Sequence, residues 1–203
     1  METQTYRWQG LDDPSRCETA VVQLHGDSLD AHGASTSARY STAWHLTVGA
    51  GWVTQELSVA TFGDGWSRSL RLGRSSRGDW TAEAHSRGHL DDSTPGIADP
   101  SELTGAMDCD LGLCPLTNIM PIRRLRLLEH HVEPVPLVMA WVDVPSLRVI
   151  RSEQIYGSGT LDSASAPTVR YASRSRDFNA ELTVDAAGIV VLYPTLAELV
   201  RGG

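Results

Sequence analysis

Between Met107 and Leu128 the chain crowds two aspartates, two cysteines, a Thr-Asn pair and three arginines into one short run. Arg123 and Arg124 carry planar guanidinium forks suited to a carboxylate, or to an anionic or sugar headgroup. Asp108 and Asp110 lie near enough in sequence to supply the carboxylates. Two roles therefore stand open for the arginines: ion pairs that lock the run into the fold, or a fork turned toward a ligand. Asn118 has the chemistry of an N-cap, because its side-chain oxygen can accept from the free N–H groups of a first helical turn. Pro121 then falls inside that turn, where its missing N–H costs no intrahelical bond. The spacing predicts one helix running from Asn118 toward Leu128.

Aromatic residues supply the second set of candidates. Six tryptophans stand against two phenylalanines. Trp44, Trp52 and Trp66 are placed to line a cavity, where an indole offers a stacking face and one polar N–H. Tyr156 and Tyr171 can present hydroxyl groups to a headgroup on the same logic. For each of these the alternative is ordinary core packing. Other chemistry is weakly signalled. Cys109 and Cys114 have no second Cys or His pair at zinc spacing, and His130-His131 do not provide one. A nucleophile built on Cys114 needs a histidine such as His25 or His45 and an orienting acid. Asp91-Asp92 sits in a Pro/Gly loop and reads as solvated. Gly63-Asp64-Gly65 joins two strands and opens no helix, so it is no phosphate loop. No metal and no cofactor is expected.

The elements that must position these groups read mainly as strands. Trp44, Leu46, Val48, Ala50 and Trp52 share one parity. Leu57 and Val59 continue the pattern less strictly, and Trp66, Leu70 and Leu72 form another face. Phe178, Ala180, Leu182 and Val184 give the clearest alternation, followed by Ile189–Tyr193. Leu196–Arg201 reads as a short helical turn or a frayed end. Ser158–Pro167 is the best candidate for a mobile loop. Ile122, Leu125 and Leu128 cluster on one side of the helical wheel while Leu127 points almost opposite, the pattern of a helix surrounded by other elements.

Length and composition set the outer bounds. The 203 residues favour a single domain over 1–203. A net charge of −8 disfavours nucleic acid and anionic lipid surfaces. Every Lys/Arg position is arginine. No apolar run approaches the roughly 20 residues of a membrane span, and no secretory signal opens the chain. Three cysteines cannot all pair within one chain, so a cytoplasmic location is expected.

In its order of motifs the run resembles the putative glycolipid-binding family of bacterial domains. The matching segments are Asp108-Cys109-Asp110-Leu111, Pro115-Leu116-Thr117-Asn118 and Pro121-Ile122-Arg123-Arg124-Leu125. Gln154-Ile155-Tyr156, Arg170-Tyr171, Val184-Asp185 and Tyr193-Pro194 look like its downstream landmarks, so the likeness spans nearly the whole chain. Cys114 and Leu116 depart from the family pattern, which has Thr and an aromatic around the proline. The resemblance implies a mainly β fold: a long antiparallel sheet rolled spirally around a single central α-helix. It also implies a non-catalytic binding or carrier protein for an amphipathic, glycolipid-like small molecule held in an internal cavity. Asp108, Asp110, Thr117, Asn118 and Pro121 would form its structural motif, with Arg123, Arg124, Trp44, Trp52, Trp66, Tyr156 and Tyr171 as ligand-binding candidates. An enzyme acting on a lipidic or aromatic substrate in the same cavity, or a ligand-free structural module, are the alternatives.

Overall fold

The structure is a computed structural model that describes residues 2–91, 93–161, 166–174 and 177–200. Seven strands follow one another first: β1 Glu2–Gly10, β2 Cys17–His25, β3 Ser28–Thr36, β4 Tyr40–Gly49, β5 Val53–Gly63, β6 Trp66–Arg74 and β7 Trp80–Arg87. Two short strands, β8 Gly96–Ile97 and β9 Asp108–Leu111, precede the only α-helix among the described residues, α1 Ile119–Arg124. The remaining strands are β10 Val135–Val142, β11 Arg148–Ser158, β12 Thr168–Ser173, β13 Phe178–Val184, β14 Val190–Tyr193 and β15 Ala197–Leu199.

These strands make one long sheet in the order β7-β6-β5-β4-β3-β2-β1-β15-β14-β13-β12-β11-β10-β9, with β8 on β11. It is open, ending at β7 and β9. The expected antiparallel sheet is mixed, because β9 runs parallel to β10 and β8 parallel to β11. Both parallel strands come from the connection between β7 and α1, and each is four residues or shorter.

Alternation set by side-chain burial explains most of the strands. On β4, Trp44, Leu46 and Val48 are buried while Ala43 and His45 are exposed. The looser pattern on β5 has a specific cause. Thr47 pairs with Glu56 but Val48 pairs with Thr54, so Gln55 is an extra residue in a β-bulge. Thr54 and Leu57 are consequently both buried, although they differ in parity. Gly33 on β3 sits opposite Trp44. A Cβ there would meet Trp44 Cζ2 at 2.5 Å and the Thr19 carbonyl at 2.6 Å, so only glycine lets the indole lie down on the sheet.

Several expectations are corrected. Asn118 is not an N-cap. A 3₁₀ turn over Pro115–Asn118 runs straight into α1, leaving Asn118 with helical backbone and a side chain that makes no capping hydrogen bond. Its Nδ2 donates to the Pro115 carbonyl at 3.0 Å instead. The helix also stops at Arg124 rather than reaching Leu128. Arg126 has φ +55°, which reverses the chain and lets Leu127 N–H donate to the Ile122 carbonyl. Leu127 is thereby fully buried despite its place on the wheel. The C-terminal segment is strand β15, paired with both β1 and β14, because these two edges require a partner between them. Asp91 is exposed, in keeping with the solvated reading, and accepts from Arg68 Nη2 at 3.0 Å. Asp92 lies outside the described residues, as does the interior, 162–165, of the expected mobile loop.

Two apolar clusters fill the interior. One joins the inner faces of β1–β7 to β9, Leu116, Ile119 and Met120. The other joins β10–β14 to Ile122 and Leu127. Helix α1 contributes to both, and Ile119, Met120, Pro121 and Ile122 are all buried.

Candidate functional site

The Met107–Leu128 run builds architecture first. Asp108 is 1% exposed, and both its oxygens accept from the Arg124 guanidinium. Arg124 Nη1 also donates to the Trp52 carbonyl at 3.1 Å, tying α1 to the β4–β5 turn. Arg123 stacks its guanidinium 5.2 Å above the Trp52 ring. Asp110 serves a different network. It accepts from Thr117 Oγ1 at 3.1 Å and from Gln154 Nε2 at 2.6 Å. Tyr156 completes it by donating to Asn118 Oδ1 at 2.9 Å. The two aspartates thus fasten the helix to opposite parts of the sheet.

A second constellation lies where β2 meets the β9–helix loop and the β14–β15 turn. On the inward face of β2, Arg16 and Glu18 are in phase with Ala20 and Val22, and all four are buried. Arg16 Nη1 donates to the Leu113 carbonyl at 3.1 Å and Nη2 to the Leu196 carbonyl at 2.7 Å, with Asp12 as its ion-pair partner. It thus holds two loops against each other. Both loops are strained: Leu113 has φ +65° and Thr195 φ +66°, a left-handed conformation that a β-branched residue rarely adopts.

Between these loops opens a cleft of about 290 Å³, at the lower end of the size of small-molecule sites. Trp141, Phe178, Tyr193 and Leu196 make its wall mostly apolar, and Asp143 gives it one acidic group. Tyr171 stands behind the wall, with its ring 5.7 Å from Tyr193 and 6.2 Å from Phe178. Gly112, Leu113 and Val144 line this cleft and also a much smaller chamber of about 10 Å³. The chamber wall mixes the polar groups of Glu18, Ser35, Tyr40, Thr42, Trp44 and Cys114 with the apolar Leu111, Leu113 and Val144.

Three enclosed atoms of the chamber wall, Glu18 Oε1, Thr42 Oγ1 and Trp44 Nε1, make no hydrogen bond among the described residues. Burial pushes the Glu18 carboxyl up to about 7, against the opposing pull of the Cys114 thiol, the Arg16 guanidinium and the Trp44 indole. Burial, and then the Glu18 charge, raise the Cys114 thiol well above its ordinary range. The chamber therefore holds, near neutrality, a carboxyl poised between its two forms and a protonated thiol.

The structure scatters the sequence candidates. Trp44 lines the chamber and Tyr171 backs the cleft. Trp52, Arg123, Arg124 and Tyr156 belong to the helix fastenings, and Trp66 lies half-buried over Gly63. Trp141 stands out only in the folded chain, whereas Glu18 is a charge on the apolar parity of β2. Among the described residues no three His, Cys, Asp or Glu side chains gather as a metal site, and no helix is long and apolar enough to cross a membrane.

Comparison with known proteins agrees with this architecture. The crystal structure of a DUF1089 family protein from Pseudomonas aeruginosa superposes with a TM-score of 0.66 at 24% identity. The match covers 89% of this chain and 91% of that one, a likeness that speaks for the fold. A comparison with curated proteins returns no match. The family model described as "Putative glycolipid-binding" matches residues 5–199, nearly the whole chain. The chain belongs to that family.

Proposed function

We propose that the protein is a non-catalytic, cytoplasmic binding or carrier protein for an amphipathic small molecule of glycolipid type. The apolar part of that molecule lies in the cleft of Trp141, Phe178 and Tyr193. The observation that carries this reading is the cleft itself, a concave apolar wall held open by two strained loops that Arg16 clamps together. The family description supports the ligand class. Three free cysteines, Cys17, Cys109 and Cys114, support a reducing compartment. For the architecture we propose the spiral roll around α1. Two facts support it: Cys109 N–H on β9 donates to Thr54 Oγ1 on β5 at 2.9 Å, and α1 feeds both apolar clusters.

Trp141→Ala tests the reading. Titration calorimetry with n-octyl β-D-glucoside should show affinity falling about tenfold or more, in line with the loss of one aromatic wall. The half-buried position of Trp141 should leave the melting temperature close to that of the parent. Trp52→Ala should do the reverse, lowering stability and sparing binding, because Trp52 sits under Arg123. Unchanged affinity in Trp141→Ala would contradict the assignment of the cleft. One observation favours an enzyme instead, the carboxyl of Glu18 held near 7. Hydrolysis of an ester-linked amphiphile that disappears in Glu18→Gln would establish that alternative.

A further inference from the structure

We infer that the chamber behind the cleft is a hydroxyl-reading subsite, in which a single hydroxyl group of the amphiphile donates to Glu18 Oε1 and accepts from Trp44 Nε1. The inference rests on the binding role proposed for the cleft and adds the chemistry of the ligand's polar end. It starts from unmet hydrogen-bonding capacity. Glu18 is 2% exposed and Trp44 5% exposed, and the Trp44 indole lies close enough to pull on the Glu18 carboxyl, yet neither Glu18 Oε1 nor Trp44 Nε1, nor the Thr42 hydroxyl, reaches a partner in hydrogen-bond geometry among the described residues. Leaving such groups unpaired in an enclosed site is costly. A folded chain that keeps three of them around one cavity has left room for a guest to satisfy them.

Size and polarity then narrow the guest. About 10 Å³ is the space of one water-sized sphere, so a single oxygen fits and a phosphate or carboxylate does not. The indole N–H requires an acceptor, whereas a carboxylate oxygen requires a donor. A hydroxyl group answers both at once. An ammonium cannot accept from Trp44, and an ether oxygen cannot donate to Glu18 in the ionised form that prevails above about pH 7, where the test is run. The chamber adjoins the cleft, so the hydroxyl assigned to it is one carried by the occupant of the cleft. Gly112, Leu113 and Val144 line cleft and chamber alike. Gly112 itself has the Val142 carbonyl 3.0 Å and Trp141 Cζ2 3.5 Å from where a Cβ would stand. A side chain there would crowd the boundary between cleft and chamber. A sugar or polyol attached to an alkyl chain presents this combination of an apolar body and a nearby hydroxyl.

The test compares two probes, n-octyl β-D-glucoside and its per-O-methylated counterpart, which keeps the skeleton and the acceptors but removes every donor. The parent protein should prefer the glucoside by about tenfold or more, the range set by leaving a buried acceptor unmet. Glu18→Leu should lose that preference by weakening the glucoside alone. Thr42→Val, a smaller change in the same wall, should reduce it in part. A preference unchanged in both variants would overturn the inference and leave the chamber to a structural water. If neither probe binds the parent protein, the cleft reading fails and the inference falls with it. Binding of both probes without preference overturns the inference alone.

Discussion

Asp108→Ala will cost the fold about 3–5 kcal/mol, the penalty for removing one partner of a buried ion pair. Asp108 is 1% exposed and gives both oxygens to Arg124, whose side chain is itself largely covered. With the carboxylate gone, the guanidinium retains the Trp52 carbonyl, a neutral acceptor that cannot balance its charge. The change also loosens α1 from the β4–β5 turn, so two structural links weaken together. Asp110→Ala should be milder, about 1–3 kcal/mol, because it removes hydrogen bonds from the uncharged donors Thr117 and Gln154. Urea unfolding of the two variants side by side checks the order. Equal losses, or a smaller loss at Asp108, would contradict the division of labour between the two aspartates.

Stability should fall as pH rises through the weakly acidic range, and Glu18 should be the cause. Its carboxyl has an ordinary value of 4.5 and is pushed up to about 7 by burial. Between those values the folded protein keeps a proton that the unfolded chain has released. Raising the pH there favours the unfolded state, so the contribution is fully present below about 4.5 and lost by about 7. At about 1.4 kcal/mol per unit this amounts to roughly 3 kcal/mol. Exposed carboxylates such as Asp91 and Glu129 are held below their ordinary range by hydrogen bonds to Ser93 and Arg126 respectively. They act with the opposite sign, whereas Asp108, raised by burial, acts with the same sign, so the comparison of parent with Glu18→Gln is what isolates Glu18. Glu18→Gln has no proton to lose. Chemical denaturation at pH 5 and pH 8 should therefore show the variant gaining roughly 3 kcal/mol on the parent as pH rises. A difference between the two proteins that does not change with pH would place the Glu18 carboxyl in water.

Much of the sheet can be read directly from periodicity, and the places where reading stops have physical causes. The parity of Trp44, Leu46 and Val48 carries through to burial, but Gln55 breaks it on β5 because a bulge has no signature in hydrophobic alternation. Strand β15 is too short to alternate, and only its two neighbouring edges make it a strand. The Met107–Leu128 run shows its importance through composition alone. Which aspartate meets which arginine depends on the chain reversal at Arg126 and on Gln154 arriving from β11. Glu18 was within reach of sequence reasoning, since it lies in phase with Ala20 and Val22 on a strand whose other face is less buried. Arg68, in phase with Leu70 and Leu72, was equally legible, and it too is buried, donating to the Ser146 carbonyl at 2.8 Å. A charge on an apolar parity is the signal in both cases. The cleft gave none, because Trp141, Phe178 and Tyr193 come from three strands that only the folded sheet brings together.

The six tryptophans make the central claim directly measurable, because each indole N–H gives its own nuclear magnetic resonance signal. Trp141 lines the cleft and Trp44 the chamber. Trp8 and Trp80 donate instead to the carbonyls of Val190 at 2.7 Å and Ala106 at 3.1 Å, away from both. Titration of the nitrogen-15-labelled protein with n-octyl β-D-glucoside should move the Trp141 and Trp44 indole signals together, with one saturation curve, and leave those of Trp8 and Trp80 in place. Signals that stay still throughout, or that move at Trp8 and Trp80 but not at Trp141, would contradict an amphiphile site in this cleft.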